Sequence, residues 1–293
     1  MKKLICLVAV LLALLLSACG STDGEILTPN ANGSSQGNNT QNPVQETIEP
    51  AVLLEQDGLK IQAKELVKDG LFGPELKILI ENESGKNLTV QCRNASINGY
   101  MVETMISAEV ASGKKSNDSI TFMSADLERC GIETIADMEF SFHVFTTEDW
   151  DTYLDSDSVQ VKTSAADGYS YTYDHAGTLV YEGKGIKVIA VGLDKEDSLL
   201  GPGLLVYIHN AGDQAVTVQS RETSVNGFMV DAVFSQEIQP GKHAVSSVTF
   251  MDADLEENEI TKLENVELSF HILNSDTWKT IADTETVKLS FSE

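Results

Sequence analysis

The sequence predicts an all-β protein made of two tandem copies of one antiparallel β-sandwich domain. The first observation is an internal repeat: residues 73–164 match residues 201–292 without a gap, with about 36 identities in 92 positions. The second is a period of two in the apolar residues, which is typical of half-buried strands. The third is an Asn-Gly pair in each copy, Asn98-Gly99 and Asn226-Gly227, which favours a tight hairpin.

The spacing of the repeat predicts the domain organisation. Matching positions lie 128 residues apart, which is far longer than a solenoid unit and long enough for each copy to have its own core. We therefore expect copy one over residues 51–166 and copy two over residues 167–293. About seven short strands in each copy match the size of an immunoglobulin-like sandwich.

The alternation is clearest in the segment MEFSFHVF, residues 138–145, where Phe140 and Phe142 face one side and His143 the other. His143 and its equivalent His271 are therefore expected to be exposed. Residues 125–128 and their counterparts look like a helical turn, in which Asp126 and Asp254 are expected to cap free N–H groups.

The N-terminus predicts export. Lys2 and Lys3 precede an unbroken apolar run from Leu4 to Leu16, and small residues follow it. This pattern indicates a signal peptide over residues 1–18. The run is too short to cross a bilayer core as a helix.

The segment Leu16-Ser17-Ala18-Cys19 resembles the lipobox of bacterial lipoproteins. The resemblance implies that a diacylglyceryl group is attached to the Cys19 thiol and that a peptidase cuts before it. Several acyl chains hold a protein stably, whereas one does so marginally. We therefore expect a lipid-anchored protein at the extracytoplasmic face of the cell membrane, with no cofactor besides the covalent lipid on Cys19.

Residues 19–50 predict a disordered tether, because Gly, Ser, Asn, Gln, Thr and Pro dominate and few apolar residues are present. The tandem repeat, the phrase ILIENESGKNLTV and the lipobox together resemble immunoglobulin-like domains of surface lipoproteins from Gram-positive bacteria. That resemblance concerns a style of domain and implies no active-site residues.

The formal net charge of −25 argues against nucleic acid as a partner. No G-x-S-x-G motif or glycine-rich phosphate loop is present, so the sequence does not predict an enzyme. Cys92 and Cys130 remain in an exported context where a disulfide can persist. Copy two has Ser220 and Asn258 at the matching positions. The pair is expected either to form a bridge or to be two separate small buried residues.

Two further groups are candidate sites. Tyr169, Tyr171 and Tyr173 follow one another at a period of two, so they either form a binding surface or pack between the copies. The weak metal candidates are Asp149, Asp151, Asp155 and Asp157. This segment is rich in the oxygen ligands that Ca²⁺ prefers, but it lacks the order of residues found in an EF-hand loop.

These observations predict a non-enzymatic, membrane-anchored surface protein that uses its two domains for binding or adhesion. Its expected partners are the membrane, through the lipid, and an unidentified protein or wall polymer. The alternatives are a structural spacer of the cell envelope and, third, an enzyme or Ca²⁺-binding protein.

Overall fold

A computed structural model describes residues 46–194 and 198–291, which form 22 strands and two short helices. The protein is all-β, as the alternation predicts. The elements of copy one are β1 (Ala51–Gln56), β2 (Leu59–Val67), β3 (Glu75–Asn82), β4 (Leu88–Ile97), β5 (Tyr100–Met101), β6 (Thr104–Met105), β7 (Ala108–Val110), β8 (Lys114–Phe122), α1 (Ser124–Arg129), β9 (Asp137–Thr146), β10 (Thr152–Asp155) and β11 (Val159–Lys162).

Copy two repeats this order of elements. They are β12 (Thr178–Gly183), β13 (Ile186–Leu193), β14 (Gly203–Asn210), β15 (Val216–Val225), β16 (Phe228–Met229), β17 (Ala232–Val233), β18 (Ser235–Ile238), β19 (His243–Phe250), α2 (Asp252–Glu257), β20 (Asn265–Asn274), β21 (Thr280–Asp283) and β22 (Val287–Ser290). No described helix is long and apolar enough to span a membrane.

Each copy consists of two antiparallel sheets. In copy one, the first sheet has the order β1-β2-β3-β8-β6, and the second is built on β4 and β9 with β5, β7, β10 and β11 at their sides. Copy two has the same plan, with β12-β13-β14-β19 and β17 in one sheet and β15, β20 and their neighbours in the other. Apolar side chains from both sheets of a copy fill the space between them.

The sheets of the two copies are not all separate. Strand β5 of copy one pairs with strand β19 of copy two, so the second sheet of copy one and the first sheet of copy two form one eleven-stranded sheet. The core of copy one also extends onto Ile189, Tyr207 and Val245 of copy two. Both copies lie in one compact unit. The boundary between residues 166 and 167 stays a prediction.

The Asn-Gly hairpins are confirmed. Asn98 and Gly99 have φ of 52° and 83°, and Asn226 and Gly227 have φ of 51° and 88°. Two successive positive φ angles are the signature of the turn that suits the right-handed twist of a hairpin. These residue types adopt them with little strain.

The predicted helix caps are wrong. Neither α1 nor α2 has a side-chain cap. Asp126 instead accepts a hydrogen bond from the Glu103 N–H over 2.7 Å, and Asp254 accepts one from the Asp231 N–H. The N-cap residues are Met123 and Met251, which have no capping side chain, and each aspartate lies within its helix and ties it to the loop after the Asn-Gly hairpin.

The expected tether ends earlier than residue 50. Glu46 is buried, its carboxylate lies 2.9 Å from Lys68 Nζ and 3.1 Å from the Ile135 nitrogen, and Ile48 forms a β-bridge with Thr163. Residues 46–50 thus belong to copy one because specific polar partners hold them there. The expected signal peptide, Cys19 and tether residues 19–45 lie outside the described residues.

Candidate functional site

The two copies meet where β5 lies beside β19. Tyr100 and His243 are the paired residues, and the two strands run parallel there. The His243 N–H donates a hydrogen bond to the Gly99 carbonyl oxygen over 2.9 Å. The hairpin made by Asn98-Gly99 therefore forms the backbone contact between copy one and copy two.

Tyrosine and histidine rings surround this contact. The His243 ring stacks on Tyr100, with centroids 5.0 Å apart, and on His209, with centroids 4.2 Å apart. Its Nδ1 lies 2.7 Å from the Tyr207 hydroxyl oxygen. The junction cluster consists of Tyr100, Tyr171, Tyr173, His175, Tyr207, His209 and His243.

The segment between the copies supplies two of the four tyrosines of this cluster, Tyr171 and Tyr173. Tyr171 meets Tyr100 edge to face at 5.6 Å, and Tyr173 stacks on Tyr207 at 6.0 Å. The Tyr169 hydroxyl oxygen accepts a hydrogen bond from Asn98 Nδ2 over 3.3 Å. Tyr173 thus packs between the copies, whereas Tyr169 and Tyr171 pack against copy one, and all three are partly buried. A binding surface formed by Tyr169, Tyr171 and Tyr173 stays a prediction.

Two histidines of the junction, His209 and His243, have pKa values below the ordinary one, which favours their neutral form. Burial lowers the pKa of His243 to about 4, and the positive charges of His209, His175 and Lys242 act in the same direction. Burial and the Lys187 charge also lower the pKa of His209. A neutral imidazole can stack between aromatic rings without the desolvation penalty of a charge.

Ion pairs also cross the junction. Lys242 Nζ of copy two lies 2.6 Å from Glu139 Oε2 of copy one, and Arg129 Nε of copy one lies 3.1 Å from Asp194 Oδ2 of copy two. Both cations are largely covered, so water screens these pairs less than it screens a surface pair. The contacts fix the orientation of one copy against the other.

A polar cleft of about 550 Å³ opens beside this contact, with walls from both copies. Its charged lining residues are Arg93, Glu103, Asp126 and Glu237. Burial raises the pKa of Asp126 and of Glu103. Because Asp231 and Asp254 repeat the contact between Glu103 and Asp126 in copy two, this acidic pair serves the fold.

The two cysteines are free thiols in the structure. Cys130 follows α1 and is buried in the core of copy one, whereas Cys92 lies on β4 opposite Phe142 and lines the cleft. The structure therefore shows two separate residues and not the bridge. Burial raises the pKa of each thiol to about 12, so neither supplies a thiolate nucleophile near neutral pH.

The expectation that His143 and His271 are exposed is wrong. His271 is buried, and His143 is largely covered. His143 Nδ1 lies 2.5 Å from Asp155 Oδ1, and His271 Nδ1 lies 2.6 Å from Asp283 Oδ1. The neighbouring strand of the same sheet supplies the aspartate as the cross-strand partner of each histidine, so the same His–Asp pair joins the paired strands in both copies.

The aspartate-rich segment does not converge on one point. Asp155 is taken up by His143, while the backbone of Asp151 bonds to Thr146. Asp149 and Asp157 are exposed. Over residues 46–194 and 198–291, no group of three His, Cys, Asp or Glu side chains could hold a metal ion.

Both tryptophans of the chain occupy one equivalent turn in the two copies. Trp150 lies between β9 and β10, and Trp278 lies between β20 and β21. Their backbone N–H groups donate hydrogen bonds to the backbone carbonyl oxygens of Thr146 and Asn274, each over 2.9 Å. The side chains are 74% and 71% exposed. We call these segments the tryptophan turns.

The backbone of the tryptophan turns is unusual. Trp150 has φ of 62° and Trp278 has φ of 58°. This left-handed region suits glycine or asparagine, and a bulky residue there is an outlier. Trp150 and Trp278 occupy matching positions of the repeat, 128 residues apart. Their retention in a turn that favours small residues was the signal that could have identified them.

Beside Trp278 lies a shallow depression of about 410 Å³. The residues on either side of the tryptophan in the chain, Thr277 and Lys279, line it. The other lining residues are Gln214, Asn274, Asp276, Thr280 and Ile281. In copy one, the Trp150 ring instead stacks on Phe145, with centroids 5.2 Å apart.

Comparison with known proteins adds little to this description. No family model matches the chain, and no curated protein matches it. Similar solved structures include the YadV chaperone, at 10% identity and a TM-score of 0.24 over 73% of this chain and 92% of that chain. A protein of unknown function from Porphyromonas gingivalis W83 has 14% identity and a TM-score of 0.21 over 80% and 100% of the respective chains. The Pseudomonas aeruginosa CupB2 chaperone has 13% identity and a TM-score of 0.18 over 74% and 92%. These similarities are too distant to bear on function.

Proposed function

We propose that this chain is a lipid-anchored protein of the extracytoplasmic membrane face, which displays two immunoglobulin-like β-sandwich copies as a non-enzymatic binding or adhesion module. The export pattern of residues 1–18 and the lipobox ending at Cys19 support the location. The matched two-sheet plan of the copies supports the domain type.

The observation that favours binding is the pair of tryptophan turns. Tryptophan is enriched where proteins bind one another, because its indole combines a large apolar face with a polar N–H. Trp150 and Trp278 are both exposed on backbone that a smaller residue would adopt more easily. A surface that serves only to fill space gains nothing from them.

A rigid spacer is the second candidate, and the junction favours it. The eleven-stranded sheet, the junction cluster and the ion pair between Glu139 and Lys242 hold the copies as one body. A spacer needs such stiffness but has no use for the tryptophan turns. The two candidates therefore differ in what removal of the indoles does.

The anchor is tested by Cys19→Ala, with Cys6→Ala as the matched control because Cys6 lies within the expected leader. We expect Cys19→Ala protein to leave the detergent phase of a phase separation or to keep its leader, whereas Cys6→Ala protein fractionates like the parent. If Cys19→Ala protein matures and partitions as the parent does, the lipid assignment is wrong.

Binding is tested by co-sedimentation with isolated cell envelopes of Cys19→Ala protein from which the leader has been removed, because this protein has neither lipid nor leader to insert. We expect the change of both tryptophans to glycine to reduce the bound fraction at least about tenfold, as loss of a tryptophan hot spot does. The control is Phe228→Ser, which removes an exposed aromatic ring elsewhere and should leave binding unchanged. The spacer would be favoured if Cys19→Ala protein, its double glycine variant and its Phe228→Ser variant bound envelopes equally, or if none of them bound.

A further inference from the structure

We infer that the tryptophan turns bind an uncharged saccharide chain, with one sugar ring stacked on each indole. This inference rests on the proposed binding function and names its ligand class. It depends on the polar setting of the indoles, the charge of the surface and the conformation of the turn.

The setting of Trp278 suits a ligand rich in hydroxyl groups. The adjoining depression is lined by two amides, a carboxylate, an ammonium group and two hydroxyls, with Ile281 as its apolar member. Asp276 and Lys279 have no side-chain partner in the structure and are exposed. The two amides and Thr277 bond to one another, which leaves Asp276 and Lys279 available. An indole face binds the C–H groups of a sugar ring, while these two charged groups can bind the hydroxyls of the next ring.

The same setting disfavours other occupants. Protein hot spots lie in desolvated pockets, whereas the residues around Trp278 are polar and open to water. A membrane surface carries anionic headgroups, and Glu148, Asp149 and Asp151 around Trp150 add negative charge to a chain whose net charge is −25. The same charge repels an anionic wall polymer. An uncharged glycan is free of all these objections.

The conformation of the turns indicates that the tryptophan side chain, and not the backbone geometry, accounts for the choice of residue. Glycine or asparagine would adopt a φ near 60° with less strain, yet tryptophan stands there in both copies. Both indoles are more than 70% exposed, and only Trp150 has a stacking contact, with Phe145, so burial in the core does not explain their presence. Because each copy has one such site, the protein can bind one glycan chain, or two neighbouring chains, through two sites at once. The overall affinity is then higher than that of a single site.

The test uses the intrinsic fluorescence of the full chain, because Trp150 and Trp278 are its two tryptophans. Trp150→Phe leaves Trp278 as the reporter, and Trp278→Phe leaves Trp150. The protein is kept in a polyoxyethylene detergent, since maltoside detergents carry sugar rings themselves. The probes are the tetrasaccharides tetra-N-acetylchitotetraose, cellotetraose and maltotetraose, each titrated to about 20 mM because single-ring sites have dissociation constants of roughly 1 mM.

We expect at least one probe to shift the emission of each single-tryptophan protein to the blue and to protect it from acrylamide, with saturation. Asp276→Ala should weaken the Trp278 response about 3- to 10-fold and leave the Trp150 response unchanged, which separates a binding role from general misfolding.

The outcomes separate this inference from the proposed function. If no probe changes either emission while envelopes still bind the parent protein and not the double glycine variant, the saccharide is wrong and the binding function stands. Envelope binding that survives muramidase but not protease would also overturn the saccharide, in favour of a protein. If envelopes bind neither protein and no probe binds, both proposals fall.

Discussion

The outer faces of the first sheets of the two copies differ in a way that explains the junction. Equivalent strands β2, β3 and β8 in copy one and β13, β14 and β19 in copy two carry the same cross-strand rows. One row is Gln62, Leu79 and Asn117 in copy one, and Ile189, Tyr207 and Val245 in copy two. The row of copy one is partly open to water, whereas that of copy two is buried against copy one.

The next row shows the same contrast. Copy one has Lys60, Glu81 and Lys115, and copy two has Lys187, His209 and His243. Lys115 and Glu81 form an ion pair of 3.0 Å with the lysine exposed to water. Rings that stack in the junction replace that pair in copy two. A solvated sheet face thus becomes an interface through changes in two rows, while the inner face of the same sheet keeps its plan.

The inner faces predict equal sensitivity of the two cores. Phe142 and Phe270 are equivalent and fully buried. We expect Phe142→Ala and Phe270→Ala each to lower the free energy of unfolding by about 3–5 kcal/mol, because each removes a large side chain from a closed core. Chemical denaturation measures both effects.

The same experiment tests whether the copies unfold together. If the junction makes them one cooperative unit, either substitution moves a single transition. Independent copies would instead show two transitions, of which each substitution moves one. A loss below about 1 kcal/mol at either position would contradict the equivalence of the cores.

The outer faces predict unequal sensitivity. Val245→Asn gives copy two the residue that copy one has at that position, and we expect it to cost about 3 kcal/mol because a polar amide is buried without a partner. Asn117→Val is the matched reverse change, and it should alter stability by less than about 0.5 kcal/mol because the site is exposed. Comparable losses for both would mean that the two faces do not differ as the structure shows.

How far the sequence predicts this architecture depends on the range of the interaction. The Asn-Gly hairpins and the strands that alternate in period two follow local rules, so they were predictable. The repeat extended them to a second copy without further information. The fold class therefore came from contacts that each segment makes with its neighbours in the chain.

The junction was not predictable in that way. A period of two in Tyr169, Tyr171 and Tyr173 fits an open aromatic surface as well as a packed one. The choice depends on Tyr207 and His243, which come from strands far along the chain. The available signal was the departure of the copies from each other, since neutral rings stand in copy two where copy one has charges.

The His–Asp pairs show a different limit. Alternation correctly placed His143 and His271 on the side away from Phe142 and Phe270, but it could not show which cross-strand neighbours they would have. Asp155 and Asp283 are those neighbours in the same sheet, and each one contacts the histidine ring. Burial of an outward-facing residue is a property of topology and not of the strand itself.

The junction also predicts a pH dependence that copy one lacks at the equivalent place. The folded-state pKa of His243 is about 4, below the ordinary value of 6.5, so the unfolded chain binds its proton first as pH falls. Its contribution to stability is complete above pH 6.5 and is lost between pH 6.5 and 4, by about 2 kcal/mol after allowance for partial exposure.

Comparison of the parent with His243→Gln measures this contribution, because glutamine keeps a polar group near Tyr207 without titrating in this range. Their difference in unfolding free energy should shrink as pH falls from 7.5 to 4.5. Lys115→Gln, at the equivalent exposed position of copy one, should show a difference that stays constant over that range. A constant difference for His243→Gln as well would contradict a neutral buried imidazole at the junction.

The smallest expected effect concerns the tryptophan turns, where the copies again differ. Trp278→Gly relieves the backbone strain of a positive φ, and the Trp278 ring has no stacking partner in the structure that would be lost. The change should therefore raise the unfolding free energy by about 0.5–1 kcal/mol. Trp150→Gly relieves the same strain but loses the stack on Phe145, so its net effect should lie within about 0.5 kcal/mol of zero. Chemical denaturation of the two variants and of Trp278→Asn, which also tolerates a positive φ, measures the difference. A protein that becomes more stable and loses its ligand when Trp278 is removed keeps that indole for binding; a loss of more than about 1 kcal/mol would instead mean that the indole supports the fold.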